Sequence, residues 1–244
     1  MTLTYEANPP KVTPNTTNTD NIVQFVNRLG RTAEVCGGIH ITENVLGYSR
    51  VSPILVGHHL YEYMPGVIMT LTMRVRDKST SEIDAFVHDA IDEEFSGVLV
   101  VAGDGTLDSP NLNHAPSSVV RRLRKDGIDK NLKLYLSVPV NPVYTRMTSK
   151  INAQPHGFMT QVIQDYSQVE DIMTNLPDFD IIPIVLYPSP KNHKAASFLQ
   201  IDMSQYVDNF PSFVDKIHDL TGNVLLTSPG DHASLYEFLA THRY

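Results

Sequence analysis

The chain has 244 residues, of which 41% are hydrophobic and 19% charged, enough apolar material for a large core and a length suited to one α/β barrel of about 250 residues. Its formal net charge of −8 argues against a general grip on nucleic acid or anionic membrane, both of which need a basic footprint. One cysteine, Cys36, excludes an intrachain disulfide framework and a cysteine-cluster metal site, and suits a reducing cytoplasm.

No apolar run approaches the roughly 20 residues that cross a bilayer, and Met1-Thr2-Leu3-Thr4-Tyr5-Glu6 lacks a signal-peptide pattern, so a soluble cytoplasmic protein is expected. Short β-branched or apolar runs alternate with helical periodicity along the whole chain. The first run is Leu3–Ala7, and Asn8–Asn18 with Pro9, Pro10 and Pro14 reads as the loop after it. A helix follows, capped by Thr19 or Asp20 and carrying Ile22, Val26 and Leu29. The second and third runs are Glu34–Thr42 and Val67–Arg74.

After the third run, Ile83, Phe86, Val87, Ala90 and Ile91 mark one helical face, with Ser79 and Glu82 as a capping box. Val98–Ala102 is the fourth run, ending in the turn Gly103-Asp104-Gly105, whose glycines would let backbone approach a ligand. Arg121-Arg122-Leu123-Arg124-Lys125 reads as a solvated helix end with cations at the negative pole of the dipole. Leu132–Val138, Gly157–Ile163, Ile181–Tyr187 and Asn223–Thr227 complete eight runs, with capping boxes expected at Ser167/Glu170 and Ser234/Glu237. Eight strands, each followed by a helical or loop segment and with no composition shift between them, predict a single-domain (β/α)₈ barrel over residues 1–244.

A parallel barrel gathers the C-terminal ends of its strands around one opening. Glu6, Thr42, Glu43, Thr72, Asp104, Asn141 and Gln161 fall at or after such ends. Glu6, set among apolar residues, is expected to have a raised pKa and to donate a proton. The turn at Asp104 has the spacing of neither a dinucleotide fingerprint nor a P-loop. Ten histidines include no His-Glu-x-x-His helix, and adjacent His58 and His59 are expected to diverge, so no metal is expected. Cys36 reads as a buried small hydrophobe.

In order and spacing the segments resemble those of the methylenetetrahydrofolate reductases through nearly the whole chain. The resemblance rests on Tyr5-Glu6-Ala7-Asn8-Pro9-Pro10-Lys11, His40-Ile41-Thr42-Glu43-Asn44, Ser49-Arg50-Val51-Ser52-Pro53, Thr70-Leu71-Thr72-Met73-Arg74-Val75-Arg76-Asp77, Val101-Ala102-Gly103-Asp104, Pro139-Val140-Asn141-Pro142, Lys150 and Gly157-Phe158-Met159-Thr160-Gln161. It implies an oxidoreductase of one-carbon metabolism, with FAD across the barrel mouth, NADH or NADPH as donor, and a methylene-folate or related pterin reduced to its methyl form. Glu6 and Asp104 would be catalytic; Thr42, Thr72, Asp104, Asn141, Arg146 and Lys150 would hold the cofactor, while Gln161 and His193 would hold pterin or nicotinamide. The alternatives within that resemblance are a pterin-binding subunit dependent on a partner chain and a flavin-independent reductase, as a homo-oligomer or beside a partner subunit.

Overall fold

The computed structural model describes residues 2–12, 19–45, 48–103, 112 and 114–242. Eight parallel strands close into a barrel in sequence order: β1 Thr2–Ala7, β2 Gly38–Ile41, β3 Met69–Arg74, β4 Gly97–Val101, β5 Lys133–Val138, β6 Gly157–Val162, β7 Asp180–Leu186 and β8 Asn223–Thr227, with β8 pairing back onto β1. The helices are α1 Thr19–Ala33, α2 Pro53–Tyr63, α3 Thr80–Asp92, α4 Pro116–Lys125, α5 Thr148–Ile151, α6 Tyr166–Asn175, α7 His193–Leu199, α8 Phe210–Thr221 and α9 His232–Thr241.

Residues alternate along each strand, and the two sets enter different cores. Leu3, Tyr5, Ala7, Ile39, Ile41, Leu71, Met73, Val98, Val100, Leu134, Leu136, Val224 and Leu226 face the helices and join the main hydrophobic core with Leu29, Val56, Ile83, Leu123, Ile172 and Ile217. The other set points into the barrel. There, Leu99, Tyr135, Met159 and Leu225 form a separate buried cluster, against which Val101, Ile182 and Ile184 pack. The barrel is therefore filled rather than hollow below its mouth. Gly97 begins β4 because Tyr135 crosses the floor there: a Cβ at this position would lie 2.7 Å from the tyrosine ring.

Several local expectations need correction. Residues 34–37 form a turn, so β2 starts only at Gly38. Thr19 and Asp20 already lie inside α1 rather than before it. The box at α3 is present, with Ser79 accepting from the Glu82 backbone N–H and Glu82 reaching back. At α6, however, the cap is Asp165 with Gln168, and α9 begins directly after Asp231, so Ser167 and Ser234 are helical residues. An earlier cap wins because a side-chain acceptor is useful only where the first orphan N–H groups lie. The basic run does end α4, where Arg122 pairs with Asp84 at 2.6 Å and Arg124 with Asp129 at 3.2 Å.

Candidate active site

The C-terminal mouth divides into a polar sector and a covered one. On β1 to β3 the inward positions are Thr4, Glu6, His40, Thr70, Thr72 and Arg74, placed side by side by the register pairs Glu6 with His40 and His40 with Thr70. Thr227 of β8, paired with Glu6, donates from Oγ1 to Glu6 Oε1 at 2.7 Å. Burial drives the Glu6 pKa up and this hydrogen bond offsets only part of the effect. Glu6 thus stands where expected, as a carboxyl biased toward its protonated form.

His40 is 1% exposed, with Nδ1 2.8 Å from Thr70 Oγ1 and Nε2 2.9 Å from Thr72 Oγ1. Desolvation lowers its pKa to about 4, so it is a neutral ring whose two nitrogens are both satisfied. Thr72 is consequently committed to His40. Thr42 is likewise committed, donating to Asn8 Oδ1 at 2.9 Å and to the Ala7 carbonyl at 3.3 Å. Both threonines line the mouth as expected, but their hydroxyls knit strands together.

At the end of β3, Arg74 is a buried cation whose Nη2 lies 3.3 Å from Asp77 Oδ2. Its backbone N–H donates to Glu43 Oε2 at 2.6 Å, while Lys78 Nζ meets Glu43 Oε1 at 2.5 Å. Gly103, at φ +86°, passes directly over this guanidinium, and a Cβ there would lie 2.3 Å from Arg74 Nε. The close approach expected of the glycine turn after β4 is therefore made to a side chain of the protein itself. Asp104 lies outside the described residues. The start of the first loop is pinned as well, since Arg50 Nη1 donates to the Pro9 carbonyl at 2.6 Å and the Val51 N–H to that of Pro10 at 3.0 Å.

Across the mouth, Lys150 of α5 sends Nζ to the carbonyl of Ser137 on β5 at 2.5 Å, and burial lowers its pKa. It is thus held on its own strand end. Asn141, Arg146, Gln161 and His193 are all exposed, Gln161 beside a register shift in β6 between Met159 and Val162 and His193 as the first residue of α7. The structure brings Glu6, Thr42 and Thr72 into one sector and Lys150 opposite, while Asn141, Arg146, Gln161 and His193 lie exposed. The covered sector is apolar, with Val162 and Leu186 packed under Ala196, Ile201 and Met203.

The β7 and β8 loops are latched together. Asp231, 5% exposed, accepts from Ser189 Oγ in a very short hydrogen bond and from Lys191 Nζ at 2.9 Å. These bonds, Ser189's above all, hold its pKa well below the ordinary carboxylate range. Asn192 Nδ2 donates to the Tyr187 carbonyl and to Ser228 Oγ, each at 2.9 Å, and the Gly230 N–H donates back to Asn192 Oδ1 at 2.8 Å. Sequence reasoning passed over this latch, the His40 hub, Thr227 and the buried Arg74 side chain. Polar residues at every second position of apolar strands, Thr70-x-Thr72-x-Arg74 above all, were the available signal. His58 and His59 do not diverge, since both contact Glu62 of the same helix. Cys36 is partly buried, and desolvation pushes its thiol up to about 11, in keeping with an inert packing role.

Neither a comparison with protein-family profiles nor one with curated protein sequences finds a match. Solved structures with the same fold include the tryptophan synthase A-subunit from the hyperthermophile Pyrococcus furiosus, at 10% identity and TM-score 0.56 over 98% of this chain and 95% of that one. KGPDC from Streptococcus mutans matches at 8% identity and TM-score 0.53, covering 98% and 97%. N-acetylneuraminate lyase from Mycoplasma synoviae matches at 11% identity and TM-score 0.56, covering 89% and 79%. Likeness at this level establishes the barrel and no more.

The resemblance to methylenetetrahydrofolate reductase is overturned, because neither sequence comparison finds that family and these structural neighbours are barrels of other kinds. Flavin-dependent folate reduction falls with it, as do the partner-dependent pterin subunit and the flavin-independent reductase built on the same likeness. FAD and a nicotinamide donor lose their only support. Most of the matched pieces were strand endings and the turns after them, which a (β/α)₈ chain readily supplies with polar or glycine-rich residues. No helix among the described residues is long and apolar enough to cross a membrane.

Proposed function

We propose that this chain is an enzyme performing general acid–base chemistry on a small carbonyl compound bound at the C-terminal mouth of the barrel. The observation that carries the reading is Glu6, an inward carboxyl on β1 that burial biases toward the protonated form. Such an acid can donate to a carbonyl oxygen as electron density moves onto it. Lys150 supports the reading from the far wall, because β5 lies opposite β1 in an eight-stranded barrel and burial lowers its pKa. With Lys150, released from the Ser137 carbonyl, taking a proton from the carbon next to the carbonyl as Glu6 protonates the oxygen, the substrate becomes a neutral enol and the pair is left as an ammonium and a carboxylate.

The β7–β8 rim bears on substrate class. Barrel enzymes often bind a phosphate group with the loops after strands 7 and 8. Here the Asp231 carboxylate already occupies the donors of those loops, so the substrate is recognised through its carbonyl end and not through a phosphate held at that rim. Proton exchange tests the reading. A panel of 2-oxo acids and hydroxyketones in D₂O, followed by proton NMR, is expected to include a compound whose α-hydrogens exchange under catalysis, and Glu6→Gln should slow that exchange about 10²–10⁴-fold. Exchange at the buffer rate across the panel, or an undiminished rate in Glu6→Gln, would sink it.

A further inference from the structure

Outside the barrel, α2 presents His58, His59 and Glu62 at its C-terminal half. The spacings i,i+4 and i,i+3 bring both imidazoles onto one carboxylate, with His58 Nε2 3.7 Å from Glu62 Oε1 and His59 Nδ1 3.2 Å from Glu62 Oε2. One donor atom from each of the three residues lies within 4.8 Å of the other two. The two rings sit 5.5 Å apart, centroid to centroid, at 63° to each other.

A fourth residue decides the reading. Glu93, just past the end of α3, holds His58 Nδ1 at 2.8 Å, which leaves Nε2 as the nitrogen turned to Glu62. A carboxylate gripping the far nitrogen of an imidazole is the arrangement that fixes tautomer and ring plane for metal-ligating histidines. Plain surface ion pairs would explain the contacts one at a time, but at these exposures they contribute little and would not require two histidines on one glutamate. His58 and His59 side chains are each 44% exposed, open enough for an ion and its remaining waters to reach them from solvent.

We propose that α2 carries a divalent-metal site, zinc by its donor chemistry, with His58, His59 and Glu62 as ligands and Glu93 of α3 as the positioning residue. Two imidazoles and one carboxylate with a position left for water form a donor set suited to Zn²⁺. Because Glu93 belongs to the next helix of the barrel, a bound ion stiffens the α2–α3 pair. The site lies apart from the mouth and does not depend on the acid–base reading.

Calorimetric titration of the chelator-treated full chain with Zn²⁺ tests it. The parent should take up one Zn²⁺ per chain and melt at a higher temperature with the metal. His58→Ala, His59→Ala and Glu62→Gln should each abolish saturable uptake and the thermal shift while circular dichroism stays that of the parent. Glu93→Gln should weaken binding about 10–100-fold, and Cys36→Ser should leave it unchanged. Co²⁺ in place of zinc should give weak visible bands without thiolate charge transfer. Absence of saturable uptake, or uptake that survives Glu62→Gln, overturns the proposal. A His59→Ala variant that binds like the parent overturns the three-ligand assignment, and a Glu93→Gln variant that does so removes the positioning role.

Discussion

The two halves of the barrel interior obey different rules. From β4 to β8 the inward residues on the barrel floor, Leu99, Tyr135, Met159, Ile182, Ile184 and Leu225, pack into one cluster that excludes water. From β1 to β3 they are Thr4, Glu6, His40, Thr70, Thr72 and Arg74, whose side chains need partners to be buried at all. His40 is fully partnered by its two threonines, and Arg74 is bedded against Asp77 under the turn at Gly103. Glu6 differs: its burial is only partly offset by Thr227. A polar interior stabilises where its groups find partners, and a carboxyl whose burial is only partly offset is the candidate for chemistry.

The largest effect on stability should come from the apolar half. Leu225→Ala removes a side chain that is 1% exposed and should cost about 2–5 kcal/mol, read from the urea midpoint, whereas an equal cost from a surface leucine such as Leu55 would break the contrast between core and periphery. The polar half should instead respond to pH. His40 stays neutral down to about pH 4 in the folded chain but protonates near its ordinary value when unfolded, so the unfolded state binds more protons as pH falls from about 6.5 to 4. Stability should drop across that window by on the order of 3 kcal/mol from this group. His232, also lowered to about 4 by burial, adds a loss of the same sign, so the diagnostic is the flatter profile of His40→Gln relative to the parent.

Glu6 supplies the smallest effect and the opposite sign. Because its folded pKa is raised, the folded state binds more of this proton than the unfolded state above the unfolded carboxylate value, so its contribution to stability declines as pH rises from there. Glu6→Gln should therefore be more stable than the parent at pH 7.5 and no more stable at pH 4. Calorimetric melts at the two pH values check this. A variant less stable at both would make Glu6 a structural member of the polar half.

Much of the architecture was readable because the barrel repeats one signal: an apolar run, a break, a helical face. Strand ends such as Asn223–Thr227 needed no tertiary information. The start of β2 did, since Glu34-Val35-Cys36-Gly37 has strand-like residues, yet the Gly37 N–H is drawn to the Leu3 carbonyl before pairing with β3 begins. In the candidate site, Glu6 was legible as a lone carboxylate in an apolar strand. Its partner Thr227 was not, being 221 positions away and adjacent only because β8 closes onto β1. The Asp231 latch was hidden for the same reason, with Ser189 forty-two positions from the carboxylate it meets. Long-range closure, rather than local preference, determines who partners whom.

The latch also acts as an internal ligand. Ser189 and Lys191 are donors already gathered around one negative group, and that group is carried on the chain by a single side chain. Shortening Asp231 to alanine or glycine would leave the donors assembled and the charge missing. Asp231 thus does for the two loops what a bound anion would do, and the chain carries that anion as one of its own side chains, in the loop after the strand next to the β1 acid.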